Sequence, residues 1–175
     1  MRNTTHTPDL KHLAKFQIFQ GLPDDKIRLY IEKFNYYTAG EGDIIIKEGD
    51  PGDSIYLLLK GEVEVTQALT FLMTRAPIPD TREKAIIRLN HKMHPFFGEM
   101  SLFAEEDTRT ANIRAVTECV LARISKEDFF TVTHENPGIG LTVTENIARV
   151  LVERLKNTNN DVTKLTTALA LILEQ

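Results

Sequence analysis

Between Thr38 and Val65 the segments AGEGD, EGDPGD and KG interrupt IIIK, SIYLLL and EVEV at close intervals. Glycine and aspartate supply the backbone conformations of tight turns, while β-branched and aromatic residues favour extended chain. This punctuation commits the region to short strands, and Glu62-Val63-Glu64-Val65 alternates as a half-buried strand does. KAIIRLN adds a strand further on, and TANIRAV and ECVLARI add two more, separated at Thr117. Regular turn signals without intervening long helices predict an antiparallel roll of about seven or eight short strands, jelly-roll-like in class. The connection QALTFLMTRAPIPDT, Gln67 to Thr81, is longer than hairpins need and apolar enough to pack on something.

Helices flank the roll. Leu10, Leu13 and Phe16 recur at helical spacing, and Ile27, Tyr30, Ile31 and Phe34 follow Pro23 and two aspartates placed as in a first turn. After the last strand, Ser125 and Asp128 form a capping box ahead of Phe129, Phe130 and Val132. Asn136-Pro137 reads as an N-cap followed by a first-turn proline, and no Pro or Gly occurs after Gly140, so one helix of about 37 residues is expected. Its Leu151, Leu155, Thr158, Val162, Leu165, Leu169 and Ile172 alternate spacings of four and three, an a/d seam over three heptads. So narrow a stripe buries itself best on a copy of itself, which predicts a homodimer; folding back onto the roll is the alternative. The expected organisation is a helical extension over 1–16, the β-roll over 17–135 and the long helix over 136–175, which serves for dimerisation or as a lid.

A chain of 175 residues with 42% hydrophobic and 26% charged residues has the balance of a soluble globular protein. A net charge of −4 and an isoelectric point near 5.8 argue against a direct nucleic-acid partner, which demands clustered Lys and Arg. The single Cys119 leaves no internal disulfide. MRNTTHTPDLKH lacks the apolar run of a signal peptide, and no stretch approaches the roughly 18 apolar residues of a membrane span, so a cytoplasmic protein is expected.

Periodicity does not account for FGEMSLFAEEDTRTANIRA, Phe97 to Ala115. Gly98 removes a side chain where the backbone turns, and Met100 and Ser101 then start a helical turn whose amides can cradle an anion. Arg109 brings a fork of donors suited to two phosphate oxygens, and Thr110 a neighbouring hydroxyl. Glu99, acceptor-only when ionised, suits a sugar hydroxyl rather than the phosphate itself. Together these residues describe a phosphate beside a ribose within an apolar roll. The bland alternatives pair Arg109 with Glu105, Glu106 or Asp107, or let Glu99 cap its own turn.

IFQGLPDD, EGDPGDSIYLLLKGEVEV, FFGEMSLF and RTANIRA together resemble the cyclic nucleotide-binding domain family, from about Ile18 to Leu155. The resemblance implies that Glu99 takes the ribose 2′-hydroxyl, Arg109 the cyclic phosphate and Thr110 the phosphate, with Gly98 and Ala111 offering backbone amides. Gly49 and Gly61 match the family's turn glycines, and Ile86 and Leu89 are candidates to line the base pocket. Where bacterial activators of the family place adjacent hydroxyl residues on the long helix, this chain has Arg154 and Leu155, so base contacts are assigned to Arg154, Asn157 or Thr158. NHKMHPFFGE also departs from the family's usual turn before the cassette. No helix-turn-helix is seen after the long helix, so a complete transcription factor is not expected. Cyclic AMP is favoured over cyclic GMP as regulatory ligand, although the threonine occurs with both. The implied function is a non-enzymatic sensor that signals to an unidentified downstream protein.

Rival readings need residues that are missing. A metal-dependent cupin requires H-x-H, which His6, His12, His91, His94 and His134 do not form, and x₂ spacing aims His91 and His94 apart. No nucleophile–base pair or carboxylate cluster adjoins the cassette, so hydrolysis of a cyclic phosphate is not expected and no metal is assigned. A ligand-free dimeric interaction module is the remaining alternative. Against it stands the expectation that an empty arginine and glutamate would be costly to keep.

Overall fold

The strand Ser54–Lys60 organises the molecule because both of its faces are buried. Ile55, Leu57 and Leu59 point into one apolar core with the helices, and Tyr56 and Leu58 into a second one between the sheets. This explains why SIYLLL shows no polar alternation: a strand covered on both sides has no solvent face to mark. The computed structural model describes residues 1–4, 8–68, 83–104 and 108–173, with backbone alone at 67, 68 and 83–86.

Nine strands occur among the described residues: β1 (Arg2–Asn3), β2 (Asn35–Ala39), β3 (Ile44–Ile46), β4 (Ser54–Lys60), β5 (Glu62–Ala68), β6 (Glu83–Asn90), β7 (Phe96–Phe97), β8 (Asn112–Ala115) and β9 (Cys119–Ser125). One sheet has the order β1-β2-β9-β4-β7 and the other β3-β8-β5-β6, with every pairing antiparallel. The expected antiparallel roll is therefore present, with more strands than the sequence announced. β1 and β7 are two residues long and carry no periodicity, and β2 begins before Thr38. The connection from Gln67 to Thr81 lies almost wholly outside the described residues.

The helices are α1 (Leu10–Leu13), α2 (Asp24–Ile31), α3 (Met100–Phe103), α4 (Lys126–Glu135) and α5 (Pro137–Leu173). α1 is a single turn capped by the Asp9 carboxylate and followed by a 3-10 turn, Gln17–Phe19. The capping box forms as expected, the Asp128 amide donating to Ser125 Oγ at 3.0 Å. Asn136 does not cap α5 with its side chain; its amide donates back to the Val132 carbonyl at 3.2 Å. α5 runs for 37 residues. Its first half packs Ile139, Val143, Ile147 and Val150 into the helix-side core with Leu13, Phe16 and Phe129. Gly140 makes that approach possible, since a Cβ there would lie 2.6 Å from the Thr133 carbonyl of α4. Asn146, buried in the same face, donates to the Ile18 and Gln20 carbonyls at 3.2 and 2.8 Å and fastens α5 to the 3-10 turn.

From Leu155 to Leu173 every residue of α5 is exposed, Leu155, Val162, Leu165, Leu169 and Ile172 among them. Leu151 alone of the seam's apolar residues packs on the core. No helix is long and apolar enough to cross a membrane among the described residues.

Candidate functional site

A cavity of about 420 Å³ opens from the inter-sheet core. Ile46, Val65, Ile87, Leu89, Phe97 and Ile113 form its apolar wall, and residues 98–101 and 108–111 form a polar wall opposite. Arg154, Asn157, Thr158 and Asp161 of α5 stand over the mouth. The sequence-derived residues Gly98, Glu99, Met100, Ser101, Leu89, Arg109, Thr110, Ala111, Arg154, Asn157 and Thr158 thus share one cavity. Ile86 is the exception: its side chain lies outside the described residues, and Ile87 lines the wall with Leu89. Residues two apart on a strand face the same way, so Leu89 goes with Ile87.

Gly98 enters the cassette with φ +85°, a left-handed conformation, and a Cβ there would lie 2.8 Å from Arg109 Nη1. Gly98→Ala is expected to cost about 2 kcal/mol, from left-handed strain and the clash together. Urea denaturation measures this; a variant as stable as the parent would contradict the assignment.

Arg109 is only 7% exposed, and its fork is held by the protein. Nη1 donates to the Ser54 carbonyl at 2.8 Å, to Ser101 Oγ at 2.9 Å and to the Gly98 carbonyl at 3.2 Å; Nη2 donates to Ser54 Oγ at 3.0 Å. Asp53 Oδ1 lies 3.7 Å from Nη2, and the Tyr56 ring lies beneath the guanidinium at 6.0 Å. Burial lowers the Arg109 pKa from its ordinary value, opposed by Tyr56, Asp53 and Glu99. Asp53 is thus a carboxylate partner of Arg109; Glu105, Glu106 and Asp107, the partners in the bland alternative, lie outside the described residues. Burial works to raise the Asp53 pKa, but hydrogen bonds from Arg123, at 2.8 Å, and from Ser54 outweigh it and leave it lowered.

Glu99, 2% exposed, stands at the N-cap of α3 without capping it. Its Oε1 accepts from Arg154 Nη1 at 2.6 Å, and Arg154 Nη2 donates to the Phe96 carbonyl at 2.7 Å, with the guanidinium over the Phe96 ring. Arg154, expected to meet a base, is thus engaged with Glu99. The expectation that an unliganded Arg109 and Glu99 would be left unsatisfied is corrected: both have partners within the chain. Ser101 Oγ also donates to the Gly98 carbonyl at 2.9 Å, and Thr110 is exposed beside Met100.

Sequence reasoning missed Ser54, Asp53, Phe96, Ile87 and Asp161. Ser54 left one signal, a hydroxyl at the head of an apolar strand; the rest are joined to the site by long-range folding. His91 and His94 belong to a 3-10 turn, His91–Met93 and its C-cap, and turn to different neighbours: the Gly61 carbonyl and His12. Among the described residues no group of three or more side chains can hold a metal.

Comparison with known proteins adds to this geometry. A CRP-like cAMP-activated global transcriptional regulator of Mycobacterium tuberculosis is 28% identical over 153 residues, covering 87% of this chain and 61% of the regulator. A cGMP-dependent protein kinase of Caenorhabditis elegans is 34% identical over 110 residues, 63% of this chain and 13% of the kinase. The chain therefore spans less than two thirds of the regulator and a small part of the kinase. The catabolite activator protein of Thermus thermophilus superposes with a TM-score of 0.69 at 25% identity, covering 86% of this chain and 63% of that one. A cyclic nucleotide-binding domain from Methylobacillus flagellatus shares the fold with a TM-score of 0.70 at 23% identity, over 86% of this chain and 78% of that domain. The family model for the cyclic nucleotide-binding domain matches residues 38–136, more than half of the chain and the whole cassette, and the protein belongs to that family.

Proposed function

We propose that this domain is a sensor of a purine cyclic nucleotide, cyclic AMP in preference to cyclic GMP, and that α5 carries the signal. The observation that supports it most is the meeting of a buried arginine, a buried glutamate and an apolar wall in one cavity whose mouth is crossed by α5. In this reading the cyclic phosphate lies at Arg109, Thr110 and the start of α3, with Gly98 and Ala111 offering backbone amides. The ribose 2′-hydroxyl donates to Glu99, and the base rests on Ile87, Leu89 and Val65. Asn157, Thr158 and Asp161 are the groups on α5 placed to meet the base edge. The preference for cyclic AMP follows the M. tuberculosis regulator, a cAMP-activated protein similar over most of this chain. Displacement of a fluorescent cyclic AMP analogue tests it: cyclic AMP is expected to compete at lower concentration than cyclic GMP, and 5′-AMP to compete poorly. Equal competition by 5′-AMP would contradict the phosphate assignment.

Signalling requires that ligand favour one placement of α5 over another. Glu99 is the natural point of coupling, because a ribose hydroxyl and Arg154 address the same carboxylate. A roughly 100-fold difference in affinity between the two placements would shift their balance by about 2.7 kcal/mol. The partner that receives the signal is a further protein, and no catalytic role is proposed. Seating and release of α5 would act in the cytoplasm.

The exposed seam of α5 supports a homodimer. Leu165, 62% exposed, lies at its centre. Leu165→Glu is expected to weaken dimerisation about 100-fold or more, because each helix loses a buried leucine and gains a charge at the interface. Sedimentation at micromolar concentration checks this; a monomeric parent chain would refute the seam as a dimer contact. The ligand-free interaction module is the second reading, favoured by one observation: Arg109 and Glu99 are already satisfied within the chain.

A further inference from the structure

His12, Phe16 and His94 form a three-ring cluster between α1 and the turn that leads into β7. The His12 and His94 centroids are 5.3 Å apart, and Phe16 meets them edge-on at 5.8 and 5.4 Å. Phe16 is wholly buried, and His12 Nε2 is shut off from solvent with no hydrogen-bond partner among the described residues. His94 is held in the left-handed region at φ 49° by its position as C-cap of the 3-10 turn, its amide donating to the His91 carbonyl at 2.9 Å. Its placement against α1 is therefore fixed by the backbone.

We propose that this cluster is a pH-sensitive clasp, closed when both imidazoles are neutral, that releases the N-terminal helix from the β-roll in mildly acidic solution. A proton on His12 Nε2 would create a buried donor without an acceptor, and protonation of both rings would place two cations in contact. The surrounding charges mostly act in the same direction. Burial, then His94, Lys15 and His91, hold the His12 pKa below its ordinary 6.5, with Asp9 opposing. Burial, then Lys15 and His91, lower that of His94, with a hydrogen bond to the Lys92 backbone carbonyl opposing. The unfolded or undocked segment protonates near 6.5, whereas the docked one does so only at lower pH. The clasp's contribution is thus complete above that value and is lost as pH falls below it.

The position of the clasp gives it reach. On one side Phe16 leads into the 3-10 turn whose Ile18 and Gln20 carbonyls hold Asn146 of α5. On the other, His94 lies two residues before Phe96, whose carbonyl holds Arg154. Release of α1 therefore loosens both attachments of α5. Its effect on nucleotide affinity rests on the function proposed above; the clasp itself does not.

The test compares the parent chain with His12→Phe/His94→Asn, which keeps an aromatic ring at 12 and a residue tolerant of the left-handed region at 94. Hydrogen exchange at the Leu13, Ala14, Lys15 and Phe16 amides is followed from pH 7.5 to 5, corrected for intrinsic rates, with ring resonances titrated in parallel in the parent. Protection of these amides is expected to fall more in the parent than in the variant as pH drops through 6.5, with both rings titrating below 6.5. Ordinary midpoints for both histidines, or the same loss of protection in parent and variant, would overturn the clasp. Should the variant fail to fold, the parent's ring midpoints alone decide. In a separate arm, acidification weakens cyclic AMP binding more in the parent than in the variant; equal weakening would remove the link to α5 while leaving the clasp to the exchange data.

Discussion

Replacing Arg109 by alanine is expected to abolish cyclic nucleotide binding in the micromolar range and to lower the stability of the unliganded domain as well. Two separate losses are involved. For the ligand, a buried phosphate would be left without its main countercharge, which costs about 3–5 kcal/mol, or roughly two to nearly four orders of magnitude in affinity. For the protein, the Ser54 and Gly98 carbonyls and the Ser101 hydroxyl lose a shared donor, and each unsatisfied buried group costs about 1–3 kcal/mol. Arg109→Lys separates the two losses. It retains the charge but not the planar fork, so it is expected to keep part of the stability and still bind poorly. Titration calorimetry and urea denaturation on both variants measure the effects; unchanged affinity in Arg109→Ala would remove the arginine from the ligand site.

The second large effect is expected at Arg154. Arg154→Ala leaves the Glu99 carboxylate, 3% exposed at its side chain, without its partner. Because the Arg154 side chain is itself 37% exposed, solvent screens part of the pair. A loss of about 2–3 kcal/mol is expected, chiefly the penalty of a buried carboxylate left unpaired. Glu99→Gln in the Arg154→Ala background removes that charge and should recover part of the loss, so a double-mutant cycle gives the coupling directly. Additive effects would mean that the contact does not fasten α5 to the cassette. In the liganded state the variant also reports on signalling: with α5 unfastened, cyclic AMP should no longer change helix protection beyond residue 154.

The cassette was legible because its residues are defined by the chemistry that a phosphate and a sugar demand. Gly98, Glu99, Arg109 and Thr110 stand at local spacings that periodicity does not explain, and the fold brings all four to one cavity. α5 was legible for a different reason: after Gly140 nothing in the chain interrupts it, and it continues to Leu173. What the chain did not announce depends on contacts between distant residues. Ser54 meets Arg109 across 55 positions, and Arg154 meets Glu99 across another 55. No local pattern encodes such pairs. β7, two residues in an apolar PFFG stretch, is a strand only because β4 lies beside it. Where β5 pairs with β6 the register shifts between Val65, opposite Ile87, and Thr66, opposite Ala85, which complicates reading pocket residues from the sequence, and Ile87 joins Leu89 at the wall. The departures in NHKMHPFFGE turned out to mark a left-handed turn at His94 that meets the N-terminal helix, outside the cavity.

The most direct test of the central claim, that Arg109 and Glu99 hold one cyclic nucleotide in the cavity between the sheets, is titration calorimetry of the unaltered chain with cyclic AMP and then cyclic GMP. Saturable heat at one nucleotide per chain, stronger for cyclic AMP and lost in Arg109→Ala, is the predicted result. No heat from either nucleotide, or equal heats from the parent chain and Arg109→Ala, would contradict it.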